Sequence, residues 1–562
     1  MISRFNSLNS FIERHLFLAE RNMTRLNKSL LVHGPVIITL AIVLVSAPVT
    51  ARAEDYRAID EHALKAPKEL ENSIDSLVAY LIKPARNDKE KLRAIFRWIS
   101  TNISYDTEGF WAAHADQKTT TETIEKKSIK PAVPEPTVPE PNKTEPAKTE
   151  TAVTQPAVTE PAVTQPRVTE QAVKMTPEEV IKRHTANCDG YTILMEAMTQ
   201  KALTIMQEMT KKAASDMETM SKNILQTMTK QTADTMAKQA ADTTTRQAAV
   251  TTDTVTRQTR LLDVVGVKGF AKGYGYRVGS DFEGKNHAWN AVNLDGKWYF
   301  LDCTWGAGLP NAKGEFVYDF EDYYFLTSPE ELVYTHFPES PELQHIEKPV
   351  SKQEFIELPY LWPAFFKYGM KIGSHPRSII KDGNNLDINL YAPDSVLVQA
   401  DLLSGGRFLG EEYAFVERDS NQFQIKTVFP RAGEYVLQLF TRTKGTTGAY
   451  KETLDYKIFA DSGSTGPAGF PTTYEPFHLH NAYLYEPLTR ILEPGGKYHF
   501  RLKVPGGAET SVVIGDSWNH LTKNGDIFEG EVEIPAGQVS VYSRFTGSMQ
   551  SDCLLEYNTP AP

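Results

Sequence analysis

The chain contains few cysteines, three among 562 residues. Small exported domains that depend on disulfides carry more, so a disulfide scaffold is excluded. Structural zinc sites need Cys-x-x-Cys or clustered histidines, and neither pattern is present, so neither a metal nor a cofactor is expected. Cys303 and Cys553 could form one bond between domains, but burial as free thiols is the simpler expectation.

Positive charge and long apolar runs are also scarce. Basic residues number 60 against 71 acidic ones, a formal net charge of -11. No basic patch or nucleic-acid-binding motif appears, so nucleic acid is not an expected partner. The apolar run from Val36 to Ala47 has about a dozen residues, whereas a membrane-spanning helix needs about 20. The hydrophobic content of 41% is enough for about three domain cores over this length.

The same apolar run is typical of a targeting segment. Basic residues precede it, and Ala51-Arg52-Ala53 supplies a small-x-small cleavage site. Residues 1–53 are therefore predicted to be a signal peptide, with translation starting at Met1 or Met23. The mature protein is then expected in the periplasm or outside the cell, as part of the cell envelope. The alternative is an uncleaved anchor, which would be the chain's contact with a membrane.

Two segments have low sequence complexity. Residues 116–174 are dominated by Pro, Thr, Glu, Val and Ala. Regular proline excludes helices and sheet ladders, so a disordered insertion is expected there. Residues 206–260 lack proline and glycine and are rich in Met, Thr, Lys, Gln and Ala. Their repeated Lys-Gln and Arg-Gln pairs lie near whole helical turns apart, so this second insertion is either helical or disordered.

The stretch Asn286–Trp305, NHAWNAVNLDGKWYFLDCTW, predicts a β-hairpin. Asp295-Gly296 is a strong two-residue turn signal between two strand-like runs. If Leu294 faces Lys297 across this turn, every later pair of the two strands is fixed. The register can therefore be counted from the sequence.

The counted register brings a histidine and an aspartate together. Trp289 would face Asp302, and His287 shares that face because side chains alternate along a strand. Asp302 is then the diagonal neighbour of His287, at a distance that a carboxylate and an imidazole can bridge. Such a bond would fix the ring tautomer and leave the other ring nitrogen for a thiol.

Cys188 lies in NCDGYTILMEAM, where cap-type residues precede a helical pattern. A thiol in the first turn of a helix lies at the positive end of the helix dipole, which favours the reactive thiolate. Cysteine, histidine and aspartate in this chain order are the parts of a thiol nucleophile with a positioned base. Cys188, His287 and Asp302 are therefore the candidate catalytic residues.

Five stretches together resemble the transglutaminase-like superfamily of papain-type thiol enzymes, and most closely its kyphoscoliosis-peptidase branch. The most specific signal is Asn-His-Ala-Trp-Asn followed by Asp-x-Thr-Trp-Gly-Ala-Gly. Cys303 stands where proline would be expected, and it is interpreted as a packing residue. The matching stretches are Arg93–Asp106, Cys188–Met198, Gly269–Gly279, Asn286–Gly308 and Tyr323–Pro338.

The resemblance implies a nucleophile at Cys188, a base at His287 and an orienting residue at Asp302. It also implies an α+β fold, with a papain/transglutaminase-like catalytic domain over residues 54–345. In that domain the helix bearing the cysteine packs on an antiparallel sheet bearing the histidine and aspartate. The two insertions have no counterpart in the family and would be surface excursions.

After about residue 350 the chain turns β-rich. Short alternating runs separated by Gly and Pro turns occur in two sets, and the turns after Pro430 and Pro535 resemble each other. This spacing predicts two β-sandwich-like domains, over residues 350–462 and 470–562.

Two weaker patterns point to other chemistry. His184 and Cys188 are four residues apart, which suits two metal ligands only if one helix carries both. The Gly-rich run Gly266–Gly279 lacks the Gly-Lys-Ser/Thr ending of a phosphate-binding loop and fits a strand and turn. Neither pattern changes the assignment.

These features predict an exported cysteine enzyme that acts on protein or peptide amide bonds through a thioester. Water as second substrate would make it a peptidase or amidase, and a lysine amine would make it a transglutaminase. Hydrolysis is preferred, because the resembled branch is described as peptidase-like. The alternative is a non-catalytic cell-envelope protein that binds protein segments through the transglutaminase-like and β domains.

Overall fold

The computed structural model describes residues 55–109, 175–229, 263–273, 275–311, 313–464 and 469–560. The predicted signal peptide, the insertion at 116–174 and residues 230–260 of the second insertion lie outside these ranges. Within them, the structure contains no helix with the length and apolar character that a membrane span requires.

The described residues between 57 and 344, called the mixed portion below, combine helices with short strands. Their helices are α1 (Arg57–Ala63), α2 (Ile74–Leu81), α3 (Asp88–Asn102), α4 (Pro177–Arg183), α5 (Cys188–Thr229), α6 (Cys303–Ala307) and α7 (Pro329–Leu332). Short 3-10 turns lie at Lys68–Asn72, Asp322–Tyr324 and Pro341–Gln344. In α3 the buried apolar residues Leu92, Ile95, Phe96 and Ile99 recur at helical spacing, so this helix forms part of the core.

Helix α5 is much longer than the core it contacts. It begins at Cys188 and continues through residues 206–229 of the second insertion, which are helical. Among its described side chains, none beyond Leu203 is buried. The first turns of α5 therefore belong to the core, and the later turns do not.

The strands of the mixed portion form one large and two small sheets. They are β1 (Ser104–Tyr105), β2 (Thr185–Ala186), β3 (Asp263–Ala271), β4 (His287–Leu294), β5 (Lys297–Leu301), β6 (Gly308–Pro310), β7 (Phe316–Tyr318), β8 (Phe325–Thr327) and β9 (His336–Pro338). The large sheet has the order β8-β5-β4-β3-β9, and all its pairs are antiparallel. Strands β1 and β2 pair in parallel, and β6 pairs with β7 in antiparallel fashion.

The hairpin of β4 and β5 has the register counted from the sequence. Leu294 pairs with Lys297, and Asp295 and Gly296 have positive φ values of 53° and 82°, as a type I′ turn requires. The ladder stops one pair earlier than expected, at Asn290 opposite Leu301. The expected facing pair that included Asp302 was therefore wrong, because Asp302 has left the strand to cap α6.

The first turns of α5 pack on one face of the large sheet. The buried side-chain amide of Asn290 in β4 donates to the carbonyl of Thr192 in α5 at 3.1 Å. A Cβ at Gly266 in β3 would lie 3.1 Å from Cγ2 of Thr192, so the missing side chain allows the close approach. This contact brings the start of α5 to the strand that begins with His287.

The rest of the chain contains two β-sandwiches, as the sequence predicts. The first has strands β10 (Tyr360–Leu361), β11 (Lys371–Ile372), β12 (Ile379–Asp382), β13 (Asn385–Tyr391), β14 (Val396–Ser404), β15 (Arg407–Phe408), β16 (Ala414–Asp419), β17 (Gln422–Val428), β18 (Gly433–Thr443) and β19 (Lys451–Ala460). One sheet has the order β10-β19-β18-β14-β15 with β12 beside β19, and the other has β11-β13-β17-β16. Helices α8 (Lys352–Glu357) and α9 (Pro363–Lys367) lie at its entry, and a 3-10 turn lies at Glu411–Tyr413.

The second sandwich begins with β20 (Thr472–Thr473) and helix α10 (Glu475–Leu479). Its further strands are β21 (Tyr483–Glu486), β22 (Lys497–Lys503), β23 (Gly507–Ile514), β24 (Ser517–His520), β25 (Thr522–Asn524), β26 (Ile527–Glu533), β27 (Val539–Phe545) and β28 (Ser551–Tyr557). Its sheets have the orders β20-β28-β27-β23-β24 and β21-β22-β26-β25. Phe415 of the first sandwich is buried in the second core, 5.4 Å from Phe470 and 5.8 Å from Phe477 between ring centroids.

Candidate active site

Cys188 is held at the start of α5 by local sequence. The side chain of Asn187 accepts a hydrogen bond from the backbone N–H of Gly190 at 3.1 Å, as a helix N-cap does. A Cβ at residue 190 would lie 2.6 Å from Cβ of Ala186, so glycine lets the helix start directly after β2. Cys188 is 8% exposed, which leaves its thiol buried but close to the surface.

His287 is the first residue of β4, and its neighbour Asn286 anchors the strand. The Asn286 side chain accepts from the backbone N–H of Ala271 at 2.7 Å and donates to its carbonyl at 2.9 Å. Gly269 of β3 lies directly opposite His287 and also pairs with Pro338 of β9. These contacts fix the backbone that carries the histidine.

Asp302 is positioned by the change from strand to helix. Its Oδ1 accepts hydrogen bonds from the backbone N–H groups of Thr304 at 2.9 Å and Trp305 at 3.0 Å. Its own N–H donates to the carbonyl of Tyr324 at 3.0 Å. The capping role uses Oδ1 and leaves Oδ2 free to face the sheet.

His287 and Asp302 form a buried hydrogen-bonded pair. Nε2 of His287 lies 2.7 Å from Oδ2 of Asp302, and the two side chains are 7% and 1% exposed. The bond to Nε2 leaves Nδ1 as the ring nitrogen available to a thiol, and Cys188 is close enough to His287 to raise the pKa of its ring. The structure thus brings together the three side chains predicted from the sequence.

The electrostatics of the pair favour a charged imidazole beside a charged carboxylate. Burial alone would lower the pKa of His287, but the charge and hydrogen bond of Asp302, followed by those of Cys188, raise it to about 10. Burial would raise the pKa of Asp302, yet the charges and hydrogen bonds of His287 and His336 hold it well below its ordinary range. Each group therefore stabilises the ionised form of the other.

A second histidine, His336, joins this pair and was missed by the sequence reasoning. Its Nε2 lies 3.0 Å from the same Oδ2 of Asp302, and its side chain is 1% exposed. His336 is the first residue of β9, which pairs with β3 and not with the hairpin. The only sequence signal was its place in the matching stretch Tyr323–Pro338, which assigns no role.

Aromatic rings surround the pair and exclude water from it. The ring centroid of His287 lies 5.3 Å from that of Trp305 and 6.0 Å from that of Trp289. Tyr324 packs against Trp305 at 5.5 Å. Trp298 of β5 stacks on His345 instead, with the ring centroids 4.0 Å apart.

Tyr105 is a further neighbour of Cys188. It lies in β1, opposite Ala186 of β2. Burial raises the pKa of its hydroxyl well above the ordinary value, and the charge of Cys188 raises it further. Tyr105 therefore keeps its hydroxyl proton in the folded protein.

The other two cysteines are free thiols in different settings. Cys303 is buried at the start of α6, and burial, followed by the charge of Asp302, raises its pKa well above the ordinary value. Cys553 is half-buried in the second sandwich, and burial followed by the charge of Glu556 raises its pKa to about 11. The bond considered between them is not formed.

His184 and Cys188, the pair weighed as metal ligands in the sequence, lie on different elements. His184 ends α4 with a left-handed backbone, φ 51°, so it does not share a helix with Cys188. Its ring contacts the carbonyl of Asn102 and the carboxylate of Glu71, both at 3.0 Å. The ligand-type atoms of the His287–Asp302–His336 cluster lie within 4.8 Å of one another, and mutual hydrogen bonds already account for this spacing.

Comparisons with known proteins agree with the resemblance predicted from the sequence. Residues 352–471 match a family model described as a KY-like, immunoglobulin-like domain. This range coincides with the first sandwich and its entry helices. The solved structure of chimeric titin Z1Z2 aligns with 34% of this chain and 97% of its own, at 11% identity and a TM-score of 0.12.

Curated relatives are more informative. Human kyphoscoliosis peptidase is 32% identical over 211 residues, which cover 36% of this chain and 30% of that protein. The LIM and transglutaminase domain protein ltd-1 of Caenorhabditis elegans is 39% identical over 121 residues, 19% of this chain and 17% of the relative. Cytokinesis protein 3 of Schizosaccharomyces pombe is 30% identical over 123 residues, 21% of this chain and 14% of the relative.

These relatives confirm the predicted resemblance to the kyphoscoliosis-peptidase branch. The chain spans less than a third of the length of each of these three relatives, at most 30%. The similarity therefore concerns a shared region and not a whole protein.

Proposed function

We propose that the chain is a transglutaminase-like cysteine enzyme that acts on protein or peptide amide bonds. The observation that carries this proposal is the cluster at the start of α5, where the imidazole of His287 bonds to the carboxylate of Asp302 and interacts with Cys188. A thiol at a helix start, a paired imidazole and an orienting carboxylate are the parts that nucleophilic thiol catalysis needs.

In the first half-reaction the thiolate of Cys188 attacks the amide carbonyl carbon. The tetrahedral intermediate collapses as the C–N bond breaks, and the imidazolium of His287 gives its proton to the departing amine. The products are a thioester on Cys188 and a free amine or ammonia. Asp302 keeps Nε2 of His287 protonated and the ring oriented throughout. The backbone N–H of Cys188 is a natural donor to the developing oxyanion.

In the second half-reaction a nucleophile attacks the thioester. His287 takes a proton from water or from an amine, the C–S bond breaks, and the thiolate of Cys188 is restored. Water gives hydrolysis, and a lysine amine gives transamidation. Hydrolysis is the preferred outcome, because a relative matched over 36% of this chain is named a peptidase.

The same proposal includes the place of action. Basic residues, a short apolar run and a small-x-small site lie within residues 1–53, and this order is typical of a secretory signal. The substrates would then be proteins or peptides of the cell envelope or its surroundings.

A second candidate is a non-catalytic protein that binds protein segments. Two observations favour it: two β-sandwiches occupy most of residues 360–557, and one relative is named a cytokinesis protein. The reactivity of Cys188 separates the two candidates, because a binding protein has no need of an activated thiol.

Casein offered with a fluorescent primary amine tests the proposal. New N-termini report hydrolysis, and fluorescent casein reports transamidation. Either activity should vanish in Cys188→Ala and persist in Cys553→Ala, the matched cysteine control in the second sandwich. Activity that survives Cys188→Ala would overturn the mechanism. A wild-type protein that is inert towards casein and slow to alkylate at Cys188 would favour the binding function.

A further inference from the structure

Two imidazoles share one carboxylate oxygen in this site. Oδ2 of Asp302 lies 2.7 Å from Nε2 of His287 and 3.0 Å from Nε2 of His336. A catalytic thiol–imidazole–carboxylate mechanism uses only the first of these bonds. The second imidazole needs its own explanation, because buried polar groups are costly unless they are well paired.

The hydrogen bonds of His336 fix its tautomer. Because ionised Asp302 can only accept, Nε2 of His336 must carry a proton. The other ring nitrogen, Nδ1, lies 2.9 Å from Oγ1 of Thr335. In a neutral ring this nitrogen accepts, so the single hydroxyl proton of Thr335 goes to it at 2.9 Å and not to the carbonyl of Leu332, which lies farther away at 3.3 Å. The threonine thus turns the N–H of His336 towards Asp302.

His336 is also kept neutral, so that it adds a donor without adding a positive charge. Burial lowers the pKa of His336 to about 4. The hydrogen bond and charge of Asp302 act in the opposite direction, and the charge of His287 lowers the pKa further. The titratable groups that face it from neighbouring elements are Asp302, His287 and Tyr324, whose ring centroid lies 6.4 Å away. The burial of Tyr324 raises the pKa of its hydroxyl far above the ordinary value, so that group is neutral as well.

We propose that His336 is a positioning residue that fixes and ionises Asp302 through a neutral N–H donor. The carboxylate is then held from two directions, since Oδ1 accepts from the backbone of α6 and Oδ2 accepts from two imidazoles. His336 keeps Asp302 in the plane where it meets His287 and stabilises its charged form. This inference rests on the proposed thiol mechanism and adds a fourth member to its hydrogen-bonded chain.

The test compares His336→Leu with His336→Gln in the full chain. Glutamine can offer an N–H near the place of Nε2, whereas leucine cannot. The readout is the rate of Cys188 alkylation by iodoacetamide between pH 4 and 9, followed by peptide mass spectrometry, which needs no substrate. Thermal unfolding of each variant checks that it is folded.

We expect leucine to slow alkylation at pH 7 by about tenfold, by analogy with metal sites, where removing the group that orients a ligand costs about 10–100-fold. Without its donor the carboxylate holds the ring of His287 less firmly, so the rate should fall across the measured pH range. Glutamine should restore the rate. Thr335→Val should slow alkylation in the same way but by less. His478→Leu, which removes a histidine bonded to Thr473 in the second sandwich, should leave the rate unchanged.

Folded His336→Leu that alkylates at the wild-type rate across this pH range would overturn the role of His336 and leave the thiol mechanism standing. The same holds if leucine and glutamine give identical profiles, because a merely structural role does not depend on an N–H donor. If wild-type Cys188 alkylates as slowly as Cys553 and does not respond to His287→Ala, the thiol mechanism itself fails, and the role of His336 fails with it.

Discussion

Nε2 of His287 lies 2.7 Å from Oδ2 of Asp302, and this contact decides which ring nitrogen can serve the thiol. Because the carboxylate takes Nε2, only Nδ1 remains for Cys188. The pair is buried, so its two charges are poorly screened by water and strongly stabilise each other. The pH behaviour of the protein should therefore reflect this contact more than any surface charge.

Alkylation should distinguish the three cysteines at neutral pH. Burial and nearby acidic groups raise the pKa of Cys303 well above its ordinary value and that of Cys553 to about 11, so both should be almost entirely protonated at pH 7. Cys188 lies at the start of α5 close to the ring of His287, as the proposed thiol mechanism requires of its nucleophile. We expect iodoacetamide to label Cys188 at least tenfold faster than either, as measured by peptide mass spectrometry.

The control for this experiment is His287→Ala, which should remove most of the difference. Labelling in the order Cys553, Cys303, Cys188, or equal rates for Cys188 in both proteins, would contradict the proposed thiol mechanism.

Asp302→Asn should change the pH dependence of stability and leave the capping of α6 intact. Asparagine still accepts from the N–H groups of Thr304 and Trp305, but it carries no charge. The folded pKa of His287 is about 10, above its unfolded value of about 6.5. The stabilisation is therefore complete below about pH 6.5 and is lost as the pH rises through 10. The depressed pKa of Asp302 means that its share is present above about pH 4 and is lost on acidification.

Urea unfolding of wild type and Asp302→Asn at several pH values measures this window. The difference in free energy of unfolding should be largest between about pH 4 and 6.5 and should shrink towards pH 10. A difference that stays constant from pH 5 to 10 would mean that His287 is not charged in the folded protein.

The local part of this site could be predicted because the position of the turn fixes which residues of the two hairpin strands pair. Asp295-Gly296 sets the turn, Leu294 pairs with Lys297, and simple alternation then brings His287 near Asp302. The start of α5 at Cys188 likewise follows from neighbouring residues, since the capping bond of Asn187 reaches only three residues along the chain, to Gly190.

The remaining features depend on contacts between distant parts of the chain. His336 reaches Asp302, 34 residues away in sequence, because β9 pairs with β3. No local sequence pattern predicts that pairing. The end of the strand pairing at Leu301 could not be predicted either, because the alternation of side chains does not reveal that Asp302 caps a helix of five residues. Tertiary pairing and capping thus limit what periodicity alone can predict.

Two glycine substitutions should separate backbone strain from steric conflict. At Gly296, φ is 82° and a Cβ would meet nothing within 4 Å, so Gly296→Ala should cost about 1 kcal/mol of unfolding free energy through strain alone. At Gly269 a Cβ would lie 2.1 Å from the carbonyl oxygen of Phe337. Gly269→Ala should therefore cost about 2–3 kcal/mol or more by pushing β9 away from β3.

Alkylation of Cys188 gives the second readout for these variants. Gly296→Ala should leave the rate unchanged among folded molecules, because the hairpin register survives. Gly269→Ala should slow it, because the displaced strand carries His336. Equal effects of both substitutions on the rate would contradict the placement of β9 beside the site.

Replacing Arg93 by lysine should destabilise the protein, although the substitution keeps the positive charge. Its side chain is 5% exposed, and it donates through Nε and Nη2 to the two carboxylate oxygens of Asp60, each at 2.7 Å, as well as to Asp322. Lysine cannot reproduce this fork, so Arg93→Lys should lower the free energy of unfolding by about 2 kcal/mol. The matched control is Arg86→Lys, because Arg86 pairs with Glu90 with its side chain 83% exposed, where little change is expected. Urea unfolding of both variants measures the two losses in free energy of unfolding. Equal losses would show that the buried two-bond contact of Arg93 with Asp60 adds no more stability than a surface ion pair.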